Sequence, residues 1–455
     1  MDEIESPASP PGQNSTSPVS RDLLYLIGLG IFLRLFRYLT DFPLWGDESL
    51  LASNLLWRDY SALTQPLDNG QVAPVGFLWC ERLAVTTLGF HAWSLRLQGL
   101  LFGLLALILF AKVARRLLYE KEALCAIGVF AVSYFAIRYS AETKPYAGDL
   151  FFAVAWLALA AEWHATRKSR WIWGMVGLVP VSFLFSFPVL FVAGGISLGM
   201  LPFIAKNSFT PLKRSIGELV AYAAFNLAAA GMFLVLQWLI LDTQYRSSSD
   251  IMTSYWKSGF PPGLDQPVQF LLWLWDAGTS SLFAVPFGGE HSGSILSSAL
   301  FLIGLISLYR TKRSLLIFTT FGVASLAFIA AALRKYPIAD HPRLLQYFAP
   351  FVALAVGTGL AALSSGFQSA AHTNRLNPRS IGWITISIIS IAIVGRDISH
   401  PYQNIQDVAH RNFASRLWQE KPGQTTICLA TNFPALIYYE HYMAAYYSYR
   451  ALYTP

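Results

Sequence analysis

Residues 122–163 read EALCAIGVFAVSYFAIRYSAETKPYAGDLFFAVAWLALAAEW. In this stretch, two apolar runs at about 122–139 and 146–163 flank a polar segment at 140–149. An apolar run of about 20 residues is long enough to cross the hydrocarbon core of a bilayer as an α-helix. The stretch therefore predicts two membrane-spanning helices joined by a short charged turn.

Most of the chain shows the same alternation of long apolar runs and short polar segments. Of its 455 residues, 54% are hydrophobic and 13% are charged, whereas a soluble domain has about a quarter charged residues. The other apolar runs lie near 22–39, 92–118, 170–187, 188–205, 216–241, 294–309, 314–333, 344–363 and 381–397. We therefore predict an all-α polytopic membrane protein with about eleven transmembrane helices.

Short basic loops predict the orientation of these helices, because positive residues are enriched on the cytoplasmic side of a membrane. The basic loops lie at 112–121, 167–170, 206–214 and 310–313. All four reach the cytoplasm only if one further apolar segment, about 74–90, does not cross. Because Glu81 and Arg82 lie in the middle of that segment, we predict an amphipathic helix on the outer surface. The formal net charge of +7 fits the same rule, so no nucleic-acid partner is needed to explain it.

This topology divides the chain into three parts. Residues 1–21 are rich in Ser and Pro and are predicted to be a disordered cytoplasmic tail. Residues 22–399 form the transmembrane domain, and residues 400–455 form a short periplasmic or extracellular tail. In that tail, 425–430 is strand-like and 434–442 is helix-like, which is the start of a small α/β unit.

Three charged segments fall together on the outer side of the membrane in this topology. They are 44–48 (LWGDE), 140–149 (SAETKPYAGD) and 334–343 (RKYPIADHPR). Ionisable groups beside a bilayer are costly unless they are paired or functional. The convergence of these segments predicts a functional site at the outer boundary of the membrane.

The first segment places Asp47 where a new helix is predicted to begin. One interpretation is that Asp47 caps this helix. The other is that its carboxylate, at the water boundary, is a general base or a metal ligand. Both can hold at once, and the sequence leaves open whether a divalent cation is bound.

The second segment has the features of an anion site. Pro145 suits the first turn of the helix that follows, so free N–H groups and a partial positive charge face the outer water. Lys144 adds a full charge beside them, and Tyr146 and Asp149, three residues apart, share one face of the helix. The alternative is a snorkelling lysine with local ion pairs.

The third segment places Arg343 after Pro342 at the start of a helix, with Arg334 and Lys335 at the end of the helix before it. Positive charge on the outer side runs against the topology rule. Such a cluster indicates an anionic ligand, most simply a phosphate. The alternative is that these charges only set the helix ends.

One carboxylate and several cations at this depth suit a transfer reaction whose leaving group is a lipid phosphate. A phosphate leaves readily, so cations that stabilise the departing charge and a base for the acceptor hydroxyl are sufficient. Hydrolytic glycosidases need two opposed carboxyl groups instead.

Several segments also carry a resemblance to a known family through their order and spacing. They are 33–48, 73–79, 95–97, 114–117, 139–149, 336–345 and 349–350. They resemble the GT-C glycosyltransferases, which use lipid-phosphate sugars and include protein mannosyltransferases and the lipid A aminoarabinose transferase. The sharpest resemblance, YSAETKPYAGD at 139–149, is to one bacterial branch of that family.

The resemblance implies roles for individual residues. Asp47 would be the base or metal ligand with support from Glu48, and Glu142 would be a second acidic residue of the site. Lys144 and Arg343 would hold the donor phosphate. Tyr146 and Asp149 would orient these groups.

The function expected from residues and resemblance together is an integral-membrane glycosyltransferase. It would pass a sugar, with inversion, from a polyprenyl-phosphate donor to a lipid, glycan or protein acceptor. The site would face the outside or the periplasm from the plasma (inner) membrane. The alternative is a transporter or flippase of lipid-linked sugars, which predicts inverted repeats and charges at mid-membrane depth.

Overall fold

The structure is a computed structural model, and every regular element in its described part is a helix. The described residues are 20–207, 212–238, 254–263, 265–284, 294–370, 378–405, 407–409 and 411–412. No strand occurs among them. The predicted α/β unit at 425–442 and nearly all of the predicted tail at 1–21 lie outside the described residues.

Fifteen α-helices make up this part of the chain. They are α1 (Arg21–Leu39), α2 (Gly46–Trp57), α3 (Val75–Leu88), α4 (Ala92–Leu117), α5 (Glu120–Ala131), α6 (Tyr134–Tyr139), α7 (Tyr146–Thr166), α8 (Arg170–Phe185), α9 (Val189–Asn207), α10 (Leu212–Leu236), α11 (Pro267–Ala277), α12 (Ile295–Arg310), α13 (Ser314–Ala332), α14 (Ala349–Ala370) and α15 (Pro378–Ser399). Short 3₁₀ turns include Ala62–Thr64, Asp68–Gly70 and Pro342–Leu345.

Each of the eleven predicted spans coincides with a helix or a helix pair. Four helical stretches among the described residues are both long and apolar enough to cross a bilayer: Ala92–Leu117, Ile216–Leu236, Ser314–Ala332 and Ser380–Ser399. A chain with several such helices is a multi-pass membrane protein. The total number of crossings stays a prediction.

One predicted span, 122–139, was wrong as a single helix. It is broken at Val132 and Ser133 into α5 and α6. The buried guanidinium of Arg34 on α1 donates to the carbonyl oxygens of Phe130 and Ala131 at 3.4 and 3.3 Å. These are carbonyls that the end of α5 leaves without intrahelical partners, so a tertiary contact stabilises the break.

Helix α3 corresponds to the segment predicted to lie on the outer surface. Its fourteen residues rise about 21 Å at 1.5 Å per residue, less than the roughly 30 Å of a bilayer core. Glu81 in its middle is fully buried. Burial, followed by the charge of Glu48, raises the pKa of Glu81 well above its usual value.

The helices that carry the outer loops pack closely against one another. Helix α4 packs along α7, α9 along α13, and α12 along α14. At Gly304 on α12, a Cβ atom would collide with the carbonyl of Ala355 on α14, so only glycine allows this approach. Because these pairs are tight, the loops at their outer ends have a defined relative position.

Candidate active site

The three charged segments meet at the side chain of Asp47. The Nζ atom of Lys144 lies 3.0 Å from one carboxylate oxygen of Asp47, and a terminal nitrogen of Arg343 lies 3.1 Å from the other. The Lys144 ammonium also donates to the Oε1 atom of Gln71 at 2.7 Å, and Gln71 donates to Asp47 at 3.4 Å. We call Asp47, Gln71, Lys144 and Arg343 the Asp47 cluster.

Asp47 belongs to the first turn of α2, which begins at Gly46. The interpretation of Asp47 as the cap of this helix was wrong, because the residue before the helix is Trp45. The backbone N–H of Trp45 donates to the Glu48 carboxylate at 3.3 Å. Glu48 thus satisfies a free donor of the first turn, as carboxylates three residues into a helix often do. The Asp47 carboxylate is left for contacts outside the helix.

Lys144 is positioned by the tight loop that precedes α7. The N–H of Thr143 donates to Glu48 at 2.7 Å, and the N–H of Lys144 donates to the Glu142 carbonyl at 2.9 Å. Pro145 directly precedes the helix. The loop therefore presents the nearly buried Lys144 side chain to the start of α2.

Arg343 lies in the Pro342–Leu345 turn, and aromatic rings hold its guanidinium. The ring centroids of Trp45 and Trp256 lie 5.5 and 4.8 Å from the guanidinium carbon. His341 accepts from the Arg343 N–H through Nδ1 at 3.2 Å. Burial and the charge of Arg343 lower the pKa of His341 to about 3, so this imidazole is neutral and able to accept.

The cluster keeps its carboxylate ionised. Burial opposes the charge of Asp47, but the cations Lys144 and Arg343 and the hydrogen bonds from Lys144 and Gln71 together hold its pKa below the usual value. Burial lowers the pKa of Lys144 while Asp47 opposes that effect. The Asp47 side chain is 22% exposed, so the ionised group remains open to a ligand.

Glu48 lies in a separate, buried ion pair. Arg96 contacts both of its carboxylate oxygens, at 3.1 and 2.8 Å, and also donates to the carbonyls of Phe42 and Pro43. The two side chains are 1% and 4% exposed. This pair links α4, α2 and the loop before α7, so its support of the site is structural.

Glu142 is buried beside Arg138 and does not contact Asp47 in the described part of the chain. The Arg138 guanidinium donates to Glu142 Oε1 at 2.6 Å, one turn along the chain. Glu142 Oε2 is buried and has no hydrogen-bond partner among the described residues. Its role as a second acidic site residue stays a prediction.

Tyr146 and Asp149 lie on the first turn of α7, as predicted. The Tyr146 ring meets the Tyr139 ring edge-on, with centroids 5.2 Å apart. Asp149 is 4% exposed, and its Oδ1 atom has no hydrogen-bond partner among the residues described. Their predicted orienting roles are neither supported nor contradicted by these contacts.

The sequence pattern missed one residue of the site, Gln71, and placed another, Arg334, too close to it. Gln71 has no charge and lies in a loop between Asp68–Gly70 and α3. The only feature of the sequence that points to it as a site residue is its place just before 73–79, one of the segments that resemble the GT-C family. Arg334 was expected near Arg343, but its guanidinium lies over the Phe260 ring at 5.8 Å.

The metal-ligand alternative for Asp47 has little support from its neighbours. Within the described ranges, no three His, Cys, Asp or Glu side chains are grouped so that they could hold a metal ion. Both Asp47 oxygens face cations, which repel a divalent ion. The donor set therefore does not fit a metal centre.

Comparisons with known proteins agree with the resemblance seen in the sequence. Residues 72–238 match the family model described as dolichyl-phosphate-mannose-protein mannosyltransferase, which confirms the predicted resemblance to GT-C membrane glycosyltransferases. No curated protein matches the chain by sequence.

Similar solved structures include those of two proteins, each 12% identical in sequence to this chain. ArnT from Cupriavidus metallidurans in the apo state matches with a TM-score of 0.49, over 95% of this chain and 77% of that chain, at 12% identity. The archaeal oligosaccharyltransferase AglB from Archaeoglobus fulgidus, in complex with an inhibitory peptide and a dolichol-phosphate, matches with a TM-score of 0.48 at 12% identity. That match covers 88% of this chain but 58% of AglB, so the chain spans well under two thirds of the length of that protein.

Proposed function

We propose that this protein is an inverting membrane glycosyltransferase that uses a polyprenyl-phosphate-linked sugar as donor. The site would face the outside or the periplasm from the plasma (inner) membrane. The observation that carries the proposal is the Asp47 cluster, in which one ionised carboxylate lies within 3.1 Å of two cations from distant parts of the chain. The family description for residues 72–238 names a lipid-phosphate-linked sugar, which supports the same donor class.

The cluster supplies what a single displacement at the anomeric carbon requires. The acceptor oxygen forms a bond to the anomeric carbon, and the bond from that carbon to the phosphate oxygen breaks. The electron pair leaves with the phosphate, and the acceptor proton passes to Asp47. Attack from the face opposite the phosphate inverts the configuration, and a positioned base typically contributes 10²–10⁴-fold to such a step.

Lys144 and Arg343 would stabilise the departing phosphate. Without donor, both cations contact Asp47. The donor phosphate is a diester whose single negative charge is shared by two oxygens, and these oxygens would compete for the same cations and draw them partly away from Asp47. The pKa of Asp47 then rises toward its usual value, so donor binding would make the carboxylate a better base.

The remaining site residues would act through this cluster. Glu48 would hold the start of α2 and the loop before α7 through its contacts with Arg96 and Thr143. Tyr146 and Asp149 would orient the donor against α7, and Glu142 would contribute a second acid from the same segment.

An apolar crevice lined in part by Leu345, two residues after Arg343, would give a path for the lipid chain of the donor. It has a volume of about 370 Å³ and is lined by residues of α11, α13 and the turn after Arg343, including Phe328, Leu345 and Tyr347. A polyprenyl chain placed there would hold its phosphate near Arg343. The acceptor is a hydroxyl-bearing lipid, glycan or protein, and these contacts favour none of the three.

The test is a transfer assay with purified protein in liposomes that contain a polyprenyl-phosphate sugar. We expect the wild type to release free polyprenyl phosphate and Asp47→Asn to lose about 10²–10⁴-fold of that turnover. Asp41→Asn is the matched control, because Asp41 is an exposed acid of the same outer region that pairs with Arg411. Movement of intact donor across the bilayer without release of phosphate would instead establish a flippase.

A further inference from the structure

A second crevice lies far from the Asp47 cluster, between α4 and α8. Both helices pack against α7, and the space between them measures about 540 Å³. Its floor and wall are small residues, Ala155 and Ala158 of α7 and Gly174 and Gly177 of α8. The volume is that of a typical ligand pocket, about 300–1,000 Å³.

The crevice opens outward and is not filled by the protein. Gly174 and Gly177 are both exposed, and a Cβ atom added to Gly177 would meet nothing within 4 Å. Where helices face lipid, such a surface is covered by hydrocarbon chains. Two glycines and two alanines along its length therefore make a groove into which one chain can settle.

One end of the crevice is positively charged. Lys112 and Arg116 of α4 and Glu162 of α7 line that end. Arg116 Nε lies 3.3 Å from Glu162, so this acid offsets one of the two cations and the end keeps a net positive charge. Lys112 is exposed, and it lies about 24 Å along α4 from Arg96 at 1.5 Å per residue, at the end predicted to be cytoplasmic.

Trp171 adds a hydrogen-bond donor to the same end. It lines the crevice at the start of α8, and its buried indole Nε1 has no partner among the described residues. A buried indole N–H usually finds a hydrogen-bond partner. An oxygen of a bound headgroup would supply one.

We propose that this crevice is a binding site for an anionic diacyl phospholipid of the cytoplasmic leaflet. One acyl chain would lie along the small residues of α7 and α8, and the phosphate would meet Lys112, Arg116 and the Trp171 indole. Lys112 lies five residues before the end of α4 at Leu117, about 7.5 Å inside it. A cation at that depth is stabilised by reaching a lipid phosphate, and basic pockets on this side of a membrane bind anionic headgroups.

The test compares phosphatidylglycerol with phosphatidylcholine of the same acyl chains on delipidated full-length protein. Binding is counted by native mass spectrometry, and the thermal unfolding midpoint is followed in parallel. We expect phosphatidylglycerol to bind more tightly and to raise the midpoint more. Lys112→Ala should weaken phosphatidylglycerol binding about fivefold, whereas Arg115→Ala, an exposed cation outside the crevice, should not change it.

A second variant tests the acyl groove without touching charge. Gly177→Leu fills open space and should displace both lipids, while Gly28→Leu fills open space on α1 and should displace neither. Equal binding of the two lipids, or phosphatidylglycerol binding that survives both Lys112→Ala and Gly177→Leu, would overturn the proposal.

Discussion

The Asp47 cluster and the Glu48–Arg96 pair begin at adjacent residues of α2 and have different surroundings. Asp47 is 22% exposed and is held by side chains alone. Glu48 is 1% exposed and is held by a bidentate guanidinium and two backbone N–H groups. A partly exposed carboxylate whose contacts are side chains can exchange partners with a ligand, whereas a buried carboxylate held in part by backbone N–H groups cannot. Adjacent carboxylates thus divide into one suited to chemistry and one suited to support.

The largest expected effect is on the free energy of unfolding, and it should differ between the Glu48–Arg96 pair and the Asp47 cluster. Arg96→Ala would leave Glu48 buried and unpaired, which should cost about 3–5 kcal/mol in the free energy of unfolding. Asp47→Asn should cost less than half of that, because the Asp47 side chain is 22% exposed and the amide oxygen of asparagine can still accept a hydrogen bond from Lys144 or Arg343. Denaturant unfolding in detergent micelles measures both.

Arg58→Ala is the control for this comparison. Arg58 pairs with Asp68 at 2.7 Å in the same outer region, but the Asp68 side chain is 46% exposed. An exposed pair contributes about 0–1 kcal/mol. If Arg96→Ala and Arg58→Ala destabilise equally, the supporting role of the Glu48–Arg96 pair is wrong.

The next effect is on the pH dependence of transfer. The cations and hydrogen bonds hold the pKa of Asp47 below its usual value, so the carboxylate should stay ionised and kcat/KM should hold to a lower pH than for an ordinary aspartate. Lys144→Ala removes a cation and raises this pKa, so the fall in kcat/KM at low pH should move to higher pH.

Lys144→Arg keeps the charge and controls for the pH experiment. In Lys144→Arg, kcat/KM should begin to fall at the same low pH as in the wild type, even if its turnover is smaller. A fall in kcat/KM at the same low pH in Lys144→Ala and in the wild type would mean that Asp47 is not the titrating base.

The smallest effect should come from Gln71, the neutral member of the Asp47 cluster. Gln71→Ala removes one hydrogen bond to Asp47 and one acceptor from Lys144. A hydrogen bond to a charged group contributes about 1.5–3 kcal/mol, but the bond to Asp47 is long at 3.4 Å and water can replace the amide at both groups, so kcat/KM should fall only about two- to tenfold. Gln65→Ala, an exposed glutamine of the same loop, should leave it unchanged, and a loss as large as that of Asp47→Asn would give Gln71 a direct role.

Much of the fold could be predicted because membrane-length apolar runs are a strong signal. The helix α4 at Ala92–Leu117 matches its predicted run to within a residue. The break between α5 and α6 could not be predicted, because Val132 and Ser133 are not helix breakers. The contact that stabilises it comes from Arg34, which is far away in sequence and reaches the end of α5 only after folding.

The charged members of the site were also predictable, because charge is rare in this chain and its position along the spans indicates a side. Asp47, Lys144 and Arg343 do meet. Partner choice was not predictable. Nothing local shows that Glu48 pairs with Arg96, since that choice depends on which side chains the packed helices bring together. The pairing of Glu142 with Arg138, four residues apart, is local, but the sequence pattern alone did not separate it from a role at Asp47.

The most direct test of the shared phosphate site is a double-mutant cycle on polyprenyl phosphate binding. We would measure its Kd for the wild type, Lys144→Ala, Arg343→Ala and the double variant, with unfolding curves to verify folding. Each single change should weaken binding about ten- to a hundredfold, or about 1.5–3 kcal/mol. The double variant should lose less than the product of the two, because both cations hold one phosphate. Losses that multiply fully, or that appear only in acceptor binding, would place Lys144 and Arg343 in separate sites and contradict the proposed function of the Asp47 cluster.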